Sequence, residues 1–321
     1  MKRYLLPETG DFYKANLHCH STDSDGEFTP KELIEGYKNA DYSILCPSEH
    51  DKFITREDLC TDNFLLLNGL EVTARKNDPF SGRFVHMGAI VKSREITSIP
   101  VLPDYPARDD DDAEYTALIN KIAADFSAAG FLTIYNHMRW SMETDADLAG
   151  YDGFFGMEVY NYFSEIMGIE DWNFAPFLQQ IRAGKKMFAF MGDDNHNRLQ
   201  WPNMSLYGLD RRDTSFGAWN MIKCQELTYE SVISALENGD FYCSNGPEIH
   251  DVYIEDGMLH VFSSPARSIT VSTAQRRGKS NFSRDCSMTH GVFELSGSEE
   301  FVIVAVTDGH GRRAVTQPYR V

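Results

Sequence analysis

The chain has 321 residues, of which 42% are apolar and 24% charged, the composition of an ordinary globular protein. That composition excludes a disordered chain, a collagen-like fibre and a long coiled coil. The formal net charge of −18 opposes binding to a nucleic-acid backbone, so we expect no long nucleic-acid partner.

No apolar run approaches the roughly 20 residues that a membrane-spanning helix needs, so we expect no membrane partner. The first twenty residues lack the apolar stretch of a secretory signal. The six cysteines form no C-x-x-C pair, which is typical of reduced, mostly buried thiols. We therefore predict a cytoplasmic protein, and the oligomeric state stays open.

From residue 11 to about residue 223, short apolar runs alternate with amphipathic stretches. This pattern is typical of β/α units around a mostly parallel sheet. The predicted strands of this part are residues 13–18, 42–47, 64–70, 84–91, 131–135, 154–160 and 186–191.

Helices are predicted between these strands. The first begins after Thr29, a capping residue that is followed by proline and then by an acid. The second spans residues 115–129, and we interpret the acidic run 109–112 before it as its cap. The third spans residues 228–238 and ends before Gly239.

After residue 247 the pattern changes to short alternating runs separated by Asp-Gly and Ser/Pro turns. The predicted strands there are residues 252–254, 259–262, 269–272, 292–295 and 301–307. We predict two domains, residues 1–247 and a small all-β domain over residues 248–321.

The negative charge lies in the first part of the chain. The first 248 residues carry 22 basic and 40 acidic residues, which accounts for the whole net charge of −18, and such an acidic block favours cation binding.

Histidine and carboxylate side chains lie in or just after the predicted strands. In Leu17-His18-Cys19-His20, the two imidazoles are two residues apart and project from the same side of an extended chain, so both can reach one metal ion. Further side chains with such placement are Asp25, His50, Glu71, His86, His137, Asp194 and His196. In α/β folds the carboxyl ends of strands are where sites assemble. These nitrogen and oxygen groups exceed the needs of one ion and suit two or three divalent ions of Zn, Mn or Fe.

Six short motifs occur in this chain in an order that resembles the polymerase and histidinol phosphatase (PHP) family of metal-dependent phosphoesterases. They are His-Cys-His, Ser-Glu-His-Asp, Gly-Leu-Glu-Val-Thr, Val-His-Met-Gly, Asn-His-Met and Asp-Asn-His. The resemblance covers about residues 12–247. It implies a distorted (β/α)7 barrel with a trinuclear metal centre, followed by a sandwich-like C-terminal β domain. The ligands that it implies are His18, His20, Asp25, His50, Glu71, His86, His137, Asp194 and His196.

Three roles stay open at this level. Asp23 competes with Asp25 for the same ligand position. Glu158 could bind a metal ion or orient a ligand histidine. Asp51 could give a proton to the leaving group or hold His50 in place.

Clustered divalent ions that generate hydroxide near neutral pH and neutralise phosphate oxygens suit the hydrolysis of a phosphate ester. We expect a phosphomonoester of a small metabolite as substrate, with a nucleotide as one candidate. Cationic side chains expected to bind the phosphate are Arg139 and Arg198 first, followed by Lys52, Arg75 and Arg83. Aromatic side chains that could stack on a base or sugar are Phe53, Trp140, Tyr160 and Trp201.

Two other functions fit part of the pattern. Amidohydrolase-like enzymes that cleave carbon–nitrogen bonds use similar ligand sets, although they usually add a metal-bridging lysine, and no lysine is well placed here. A metal-binding regulatory module without catalysis is the second alternative, in which the β domain would bind a partner.

Overall fold

A computed structural model describes residues 2–75, 84–102, 112–198, 211–276 and 278–321. The chain divides into two compact units. One is Ala15–Gly217, and the other joins Met1–Lys14 to Ala218–Val321. We call them the α/β unit and the β unit.

Strands in the described part are β1 (Arg3–Tyr4), β2 (Asp11–Cys19), β3 (Ile44–Pro47), β4 (Leu65–Leu66), β5 (Gly69–Arg75), β6 (Phe84–Val91), β7 (Phe131–Tyr135), β8 (Gly156–Asn161), β9 (Phe188–Gly192), β10 (Trp219–Cys224), β11 (Phe241–Ser244), β12 (Ile249–Glu255), β13 (Met258–Ala266), β14 (Ser268–Thr273), β15 (Lys279–Phe282), β16 (Met288–Glu294), β17 (Phe301–Thr307), β18 (Arg313–Thr316) and β19 (Tyr319–Arg320). The α-helices there are α1 (Pro30–Asn39), α2 (Asp112–Ala128), α3 (Asp145–Gly150), α4 (Tyr162–Ile166), α5 (Phe174–Arg182) and α6 (Tyr229–Asn238). Two short 3-10 helices span Glu57–Leu59 and Arg211–Thr214.

The division between the units differs from the predicted boundary at residue 247. Strands β10 and β11 and helix α6 belong to the same unit as the C-terminal strands. Backbone pairing is the reason, because β11 is hydrogen-bonded to β18 on one side and to β10 on the other. Strand order along the sequence does not reveal such long-range pairing.

In the α/β unit, β2, β3 and β4 pair in parallel, and a five-stranded sheet has the order β5-β6-β7-β8-β9. Strand β6 is antiparallel to both β5 and β7, whereas β7, β8 and β9 are parallel to one another. Two isolated parallel bridges join the strand ends, Cys19 with Asn195 and His50 with Glu71. These bridges lie among the predicted metal ligands.

The unit is thus a mixed α/β fold with several sheets and few helices. The strands predicted at residues 84–91 and 131–135 have the observed bounds, whereas the run at 64–70 divides into β4 and β5. Helices α3, α4 and α5 are short and were not predicted. The finer prediction of a (β/α)7 barrel is not confirmed, since the described part of the chain has five α-helices in this unit.

Local capping explains the helices that the sequence predicts. Before α1, Thr29 Oγ1 accepts a hydrogen bond from Glu32 N (3.3 Å) and the Glu32 carboxylate accepts one from Thr29 N (2.8 Å). Helix α6 follows Thr228 as predicted and ends at Gly239, whose φ of 76° is left-handed. Helix α2 confirms the predicted second helix, while the acidic residues 109–111 before it lie outside the described residues.

The β unit contains two antiparallel sheets. One has the order β1-β12-β13-β16, and the other contains β15-β14-β17-β18-β11-β10, with β19 beside β17. Alternate residues of both sheets form one buried core, which includes Leu259 and Val261 from one sheet and Val302, Val304 and Val306 from the other. This packing agrees with the predicted sandwich-like domain. None of the helices in the described residues is both long and apolar enough to cross a membrane.

One buried carboxylate holds a turn of the β unit together. Glu299 accepts hydrogen bonds from Ser296 N (2.8 Å), Gly297 N (2.9 Å) and Ser298 N (3.1 Å). Burial alone would raise the pKa of Glu299, but these hydrogen bonds to Ser296 and Gly297 lower it to about 2.

We expect Glu299→Gln to lower the free energy of unfolding at pH 7 by about 1–3 kcal/mol, because the charged acceptor is lost. A carboxyl with a lowered pKa stabilises the fold above its unfolded pKa and loses this effect as the pH falls toward about 2. Urea unfolding at several pH values should therefore show the difference from wild type shrinking between pH 7 and pH 3. Glu300→Gln, at an exposed neighbour, is the control. A pH-independent difference would contradict this account.

Candidate metal centre

The predicted ligands lie at one edge of the α/β unit because of the directions of the strands that carry them. His18 is the penultimate residue of β2, and His137 follows the end of β7 by two residues. His86 is the third residue of β6, but β6 runs antiparallel to β7, so its beginning lies beside the end of β7. Asn136 N donates to His86 O (3.1 Å) at this junction.

All nine predicted ligands come together there. Three overlapping groups have potential ligand atoms within 4.8 Å of one another: His20, Asp25, His50 and His196; His18, His20, Glu71 and Asp194; and His50, Glu71 and His86. The ninth residue, His137, has Nε2 3.2 Å from Glu71 Oε1 and 3.8 Å from Asp194 Oδ2. We call these nine residues the cluster.

Glu71 is the shared residue of the cluster. It is fully buried, and Asn136 Nδ2 donates to its Oε1 at 2.7 Å. Five imidazoles place a ring nitrogen between 3.1 and 3.3 Å from a Glu71 oxygen: His18, His20, His50, His86 and His137. A carboxylate in this position can bridge two ions.

The hydrogen bonding indicates that the cluster fits metal ions. His50 Nδ1 and Glu71 Oε2 lie 3.2 Å apart, yet neither is hydrogen-bonded to any described residue. His18 Nε2 lies 3.1 Å from Glu71 Oε1 and 3.1 Å from Asp194 Oδ1, again without a hydrogen bond. Buried polar atoms normally have partners, and lone pairs that converge without hydrogen bonds are what a shared cation requires. Nitrogen and oxygen ligands without thiolate suit divalent Zn, Mn or Fe.

Electrostatics favour the charged form of the acids. Burial alone would raise the pKa of Glu71, but the neighbouring His18, His86 and His50 hold it well below its ordinary value. The pKa of Asp194 is lowered in the same way, chiefly by His18. Burial lowers the pKa of His50 to about 4 despite Glu71, so its ring is neutral at pH 7, the form that binds metal.

Glu158 supports the cluster from behind. Its Oε1 pairs with His18 Nδ1 at 2.8 Å, which leaves His18 Nε2 facing the cluster. Its Oε2 accepts from His137 N (3.0 Å) and Asn161 Nδ2 (3.0 Å), and this Asn161 amide also lies 3.3 Å from Asp194 Oδ2. Of the two roles considered for Glu158, this geometry favours the orienting one.

Close packing also fixes the residue at position 192. A Cβ atom on Gly192 would clash with Glu158 Oε1 and lie 2.9 Å from His18 Cβ. Glycine therefore makes room for the contact between Glu158 and His18. The sequence signal is weak, since an isolated glycine at a strand end has many explanations.

Three residues of the site have left-handed backbone conformations. The φ angles are 53° at Asp51, 20° at His137 and 52° at Asp194. Backbone hydrogen bonds hold two of them, from Asp51 N to Glu71 O (2.8 Å) and from Asp194 N to His18 O (2.9 Å). Such conformations are costly for residues other than glycine and occur preferentially at functional sites.

The loop that carries Asp25 is fixed by buried charges. Glu49 is fully buried and accepts from Ser21 N (3.1 Å) and Arg56 Nη2 (3.0 Å). Arg56 Nη2 also pairs with Asp23 Oδ2 at 2.7 Å. Asp25 has an oxygen among the converging ligand atoms of His20, His50 and His196, with Oδ2 3.3 Å from His196 Nε2. Asp23 belongs to none of the three groups among the described residues, so the geometry favours Asp25 as the ligand.

Sequence reasoning did not assign roles to Glu49 and Arg56. Glu49 stands next to the ligand His50 in the Ser-Glu-His-Asp motif, so its position offered a signal. Arg56 offered none, because it is one charged residue in a polar loop and only tertiary packing buries it.

The three predicted catalytic residues have different surroundings. Asp51 lies in the wall of a pocket beside His50, and its Oδ1 accepts from Thr73 N at 2.9 Å. Arg198 pairs with Asp25, with Nη2 2.8 Å from Oδ2 and Nε 2.6 Å from the carbonyl oxygen. Arg198 therefore contacts the cluster through Asp25, a predicted ligand.

Arg139 is not brought to the cluster. Its guanidinium donates to Asp145 Oδ1 (2.7 Å) and to the Glu143 carbonyl (3.3 Å). Of the other predicted cations, Lys52 lies in the pocket wall. The side chain of Arg75 and the whole of Arg83 lie outside the described residues.

The pocket gives access to the cluster. It has a volume of about 410 Å³ and is lined by Ser24, Asp25, His50, Asp51, Lys52, Thr73, Phe84, His86 and Trp140. The side chains of His50 and Asp25 are 25% and 37% exposed, whereas those of His20 and Glu71 are fully buried. Ligands from solvent must therefore meet the cluster at its His50 and Asp25 side.

No family model matches the chain, and no curated protein matches its sequence. Several solved structures, including the following three, are similar to it. A two-domain protein from Bacteroides vulgatus, containing a predicted PHP-like metal-dependent phosphoesterase, has 13% identity and a TM-score of 0.47, with 95% of this chain and 94% of that one covered.

The second structure, from Bifidobacterium adolescentis and assigned as a metal-dependent phosphoesterase, has 17% identity and a TM-score of 0.36 over 60% of this chain and 89% of that one. The third, an amidohydrolase from Chromobacterium violaceum with bound sulfate, has 15% identity and a TM-score of 0.33 over 57% and 87%.

We expect His20→Ala and Asp194→Ala each to lower the metal content by about one equivalent or more per chain, because each removes a ligand atom from the cluster. Elemental analysis of the purified protein measures the content, and circular dichroism checks that the fold is retained. His260→Ala, on the β unit, is the matched control. Full metal content in both variants would exclude the assigned cluster.

Glu158→Gln should weaken metal affinity by about 10- to 100-fold, because the amide orients His18 less strongly than the carboxylate does. Competition with a chromophoric chelator measures the affinity. Glu165→Gln, a substitution on helix α4 away from the cluster, should leave the affinity unchanged. Equal affinities for wild type and Glu158→Gln would show that Glu158 does not support the ligands.

Proposed function

We propose that this protein is a metal-dependent hydrolase that cleaves phosphate esters of a small metabolite. Phosphomonoesters are favoured, and a nucleotide is one candidate. The observation that carries the proposal is the buried carboxylate of Glu71, which lies within 3.3 Å of five imidazole nitrogens and is shared between ligand groups.

The ligand groups support two or three divalent ions of Zn, Mn or Fe. Each of the three groups offers three or four ligand atoms, which is the number a divalent ion takes from protein nitrogen and oxygen. Ions bound there would activate a coordinated water and neutralise phosphate charge, the two effects that ester hydrolysis needs.

Residues of the pocket supply the remaining functions. Among the described residues, the Lys52 ammonium donates to the backbone carbonyl of Asp23 (2.5 Å), a neutral partner that leaves its positive charge to attract a phosphate oxygen. Arg198 and Arg139 are engaged by Asp25 and Asp145, which favours Lys52 over both as the phosphate-binding cation. Asp51, held by Thr73 N, lies where it could give a proton to the leaving group.

We further propose that strands of the α/β unit form the distorted (β/α)7 barrel that the resemblance implies, around this site. The two isolated bridges support this, since Cys19 with Asn195 links β2 to the segment after β9, and His50 with Glu71 links the segment after β3 to β5. The assignment of residues 1–247 to one phosphoesterase domain stays a prediction.

The cluster also helps to distinguish the phosphoesterase from the two alternative functions, an amidohydrolase-like enzyme and a regulatory module. Amidohydrolase-like enzymes usually bridge their metals with a lysine, whereas in the described part of this chain the residue shared by the two ligand groups that contain His18 and His86 is Glu71. A regulatory module without catalysis would have no need of a pocket that leads to the ligands. Both alternatives are outcomes of the following experiment.

We expect the metal-loaded protein to hydrolyse p-nitrophenyl phosphate and members of a panel of small phosphomonoesters, with release of inorganic phosphate as the measurement. Removal of the metal with a chelator should abolish the activity, and addition of Zn, Mn or Fe should restore it. Amide and lactone panels serve as controls. Cleavage of amides alone would support the amidohydrolase alternative, and metal binding without any hydrolysis would support the regulatory one.

A further inference from the structure

Two aromatic residues form one wall of the pocket. The Trp140 and Phe84 rings have centroids 6.1 Å apart, and Trp140 also contacts the ligand His86, with centroids 5.3 Å apart. Both residues are half-buried and line the pocket. We call this pair the aromatic wall.

The other aromatic candidates do not line this pocket. Phe53 packs on Phe131, with centroids 5.6 Å apart, and Tyr160 packs on Trp172 at 6.2 Å. Trp201 lies outside the described residues. Phe163 packs on His196, with centroids 5.5 Å apart, but it does not line the pocket, whereas the two residues of the aromatic wall do.

The rest of the pocket lining is polar and carries two acids, Asp25 and Asp51. It also includes Ser24, Lys52 and Thr73. A phosphoryl group bound at the exposed His50 and Asp25 leaves the rest of the ester to extend along the aromatic wall. Asp25 and Asp51 disfavour additional negative charge on that part of the substrate, whereas a neutral planar ring fits the wall.

Resting on the proposed function, we propose that the aromatic wall selects phosphomonoesters whose alcohol carries an uncharged planar ring. Trp140 is then a specificity-determining residue that stacks on the leaving group. Stacking of one ligand ring on an aromatic side chain raises the binding affinity by about tenfold or more.

The experiment compares two substrates with the same ester linkage, adenosine 5′-monophosphate and ribose 5-phosphate, which differ by the base. For the wild-type, metal-loaded protein we expect kcat/KM to be about tenfold or more higher for the nucleotide, mainly through a lower KM. Trp140→Leu should bring the ratio close to one, and Trp140→Phe should keep much of the preference. Trp172→Leu removes an indole that packs on Tyr160 and should leave the ratio unchanged.

A second measurement uses the wild-type protein alone, so it does not depend on the folding of the variants. Adenosine should inhibit the wild-type protein competitively and quench its tryptophan fluorescence, while ribose at the same concentration should do neither. Hydrolysis of both substrates at equal efficiency, or equal effects of adenosine and ribose, would overturn the inference and leave the proposed function standing. Failure to hydrolyse any phosphate ester would overturn the proposed function, and the inference with it.

Discussion

The α/β unit depends on a single electrostatic constraint, the burial of Glu71 among five imidazoles. An isolated carboxylate without exposure to water would be very costly, so its surroundings must supply positive charge or hydrogen bonds. Here one amide, from Asn136, and several ring nitrogens surround it, and two of the buried ring nitrogens, those of His18 and His50, have no hydrogen bond to any described residue. Divalent cations can supply this positive charge. Without them, more of the imidazoles would have to be protonated to supply it.

The fold meets this constraint through strand ends and a strained backbone. Left-handed φ angles at Asp51, His137 and Asp194 turn the chain sharply as it leaves the sheets. Strand β6 runs against its neighbours, so His86 enters the site from a strand beginning. Glu158, Asn161 and Gly192 then fix the ligands from behind by hydrogen bonds and close packing. The site is therefore rigid where metal would bind and open at His50 and Asp25.

Cations near the site have divided roles. Arg56 compensates the buried Glu49, and Arg198 holds the loop through Asp25, so both stabilise the ligand geometry. Lys52 lines the pocket with its ammonium on a backbone carbonyl, and Trp140 and Phe84 add an aromatic surface to the same lining. The proposed substrate, with a charged phosphoryl group and an uncharged ring, would use both.

The sequence alone predicted the candidate ligands that the fold brings together, and it determined helices α1 and α6 and the strands β6 and β7. These features follow from local rules, since caps, turn glycines, apolar periodicity and the His-x-His spacing act within a few residues. Tertiary structure alone favours Asp25 over Asp23 as the ligand, places Arg139 on Asp145 and Arg198 on Asp25, and joins β10 and β11 to the β unit. A long charged side chain can reach many partners, and a strand can pair with any exposed edge. Which partner a side chain or strand takes depends on the free energy of the whole folded chain. This free energy cannot be derived from a short segment of sequence.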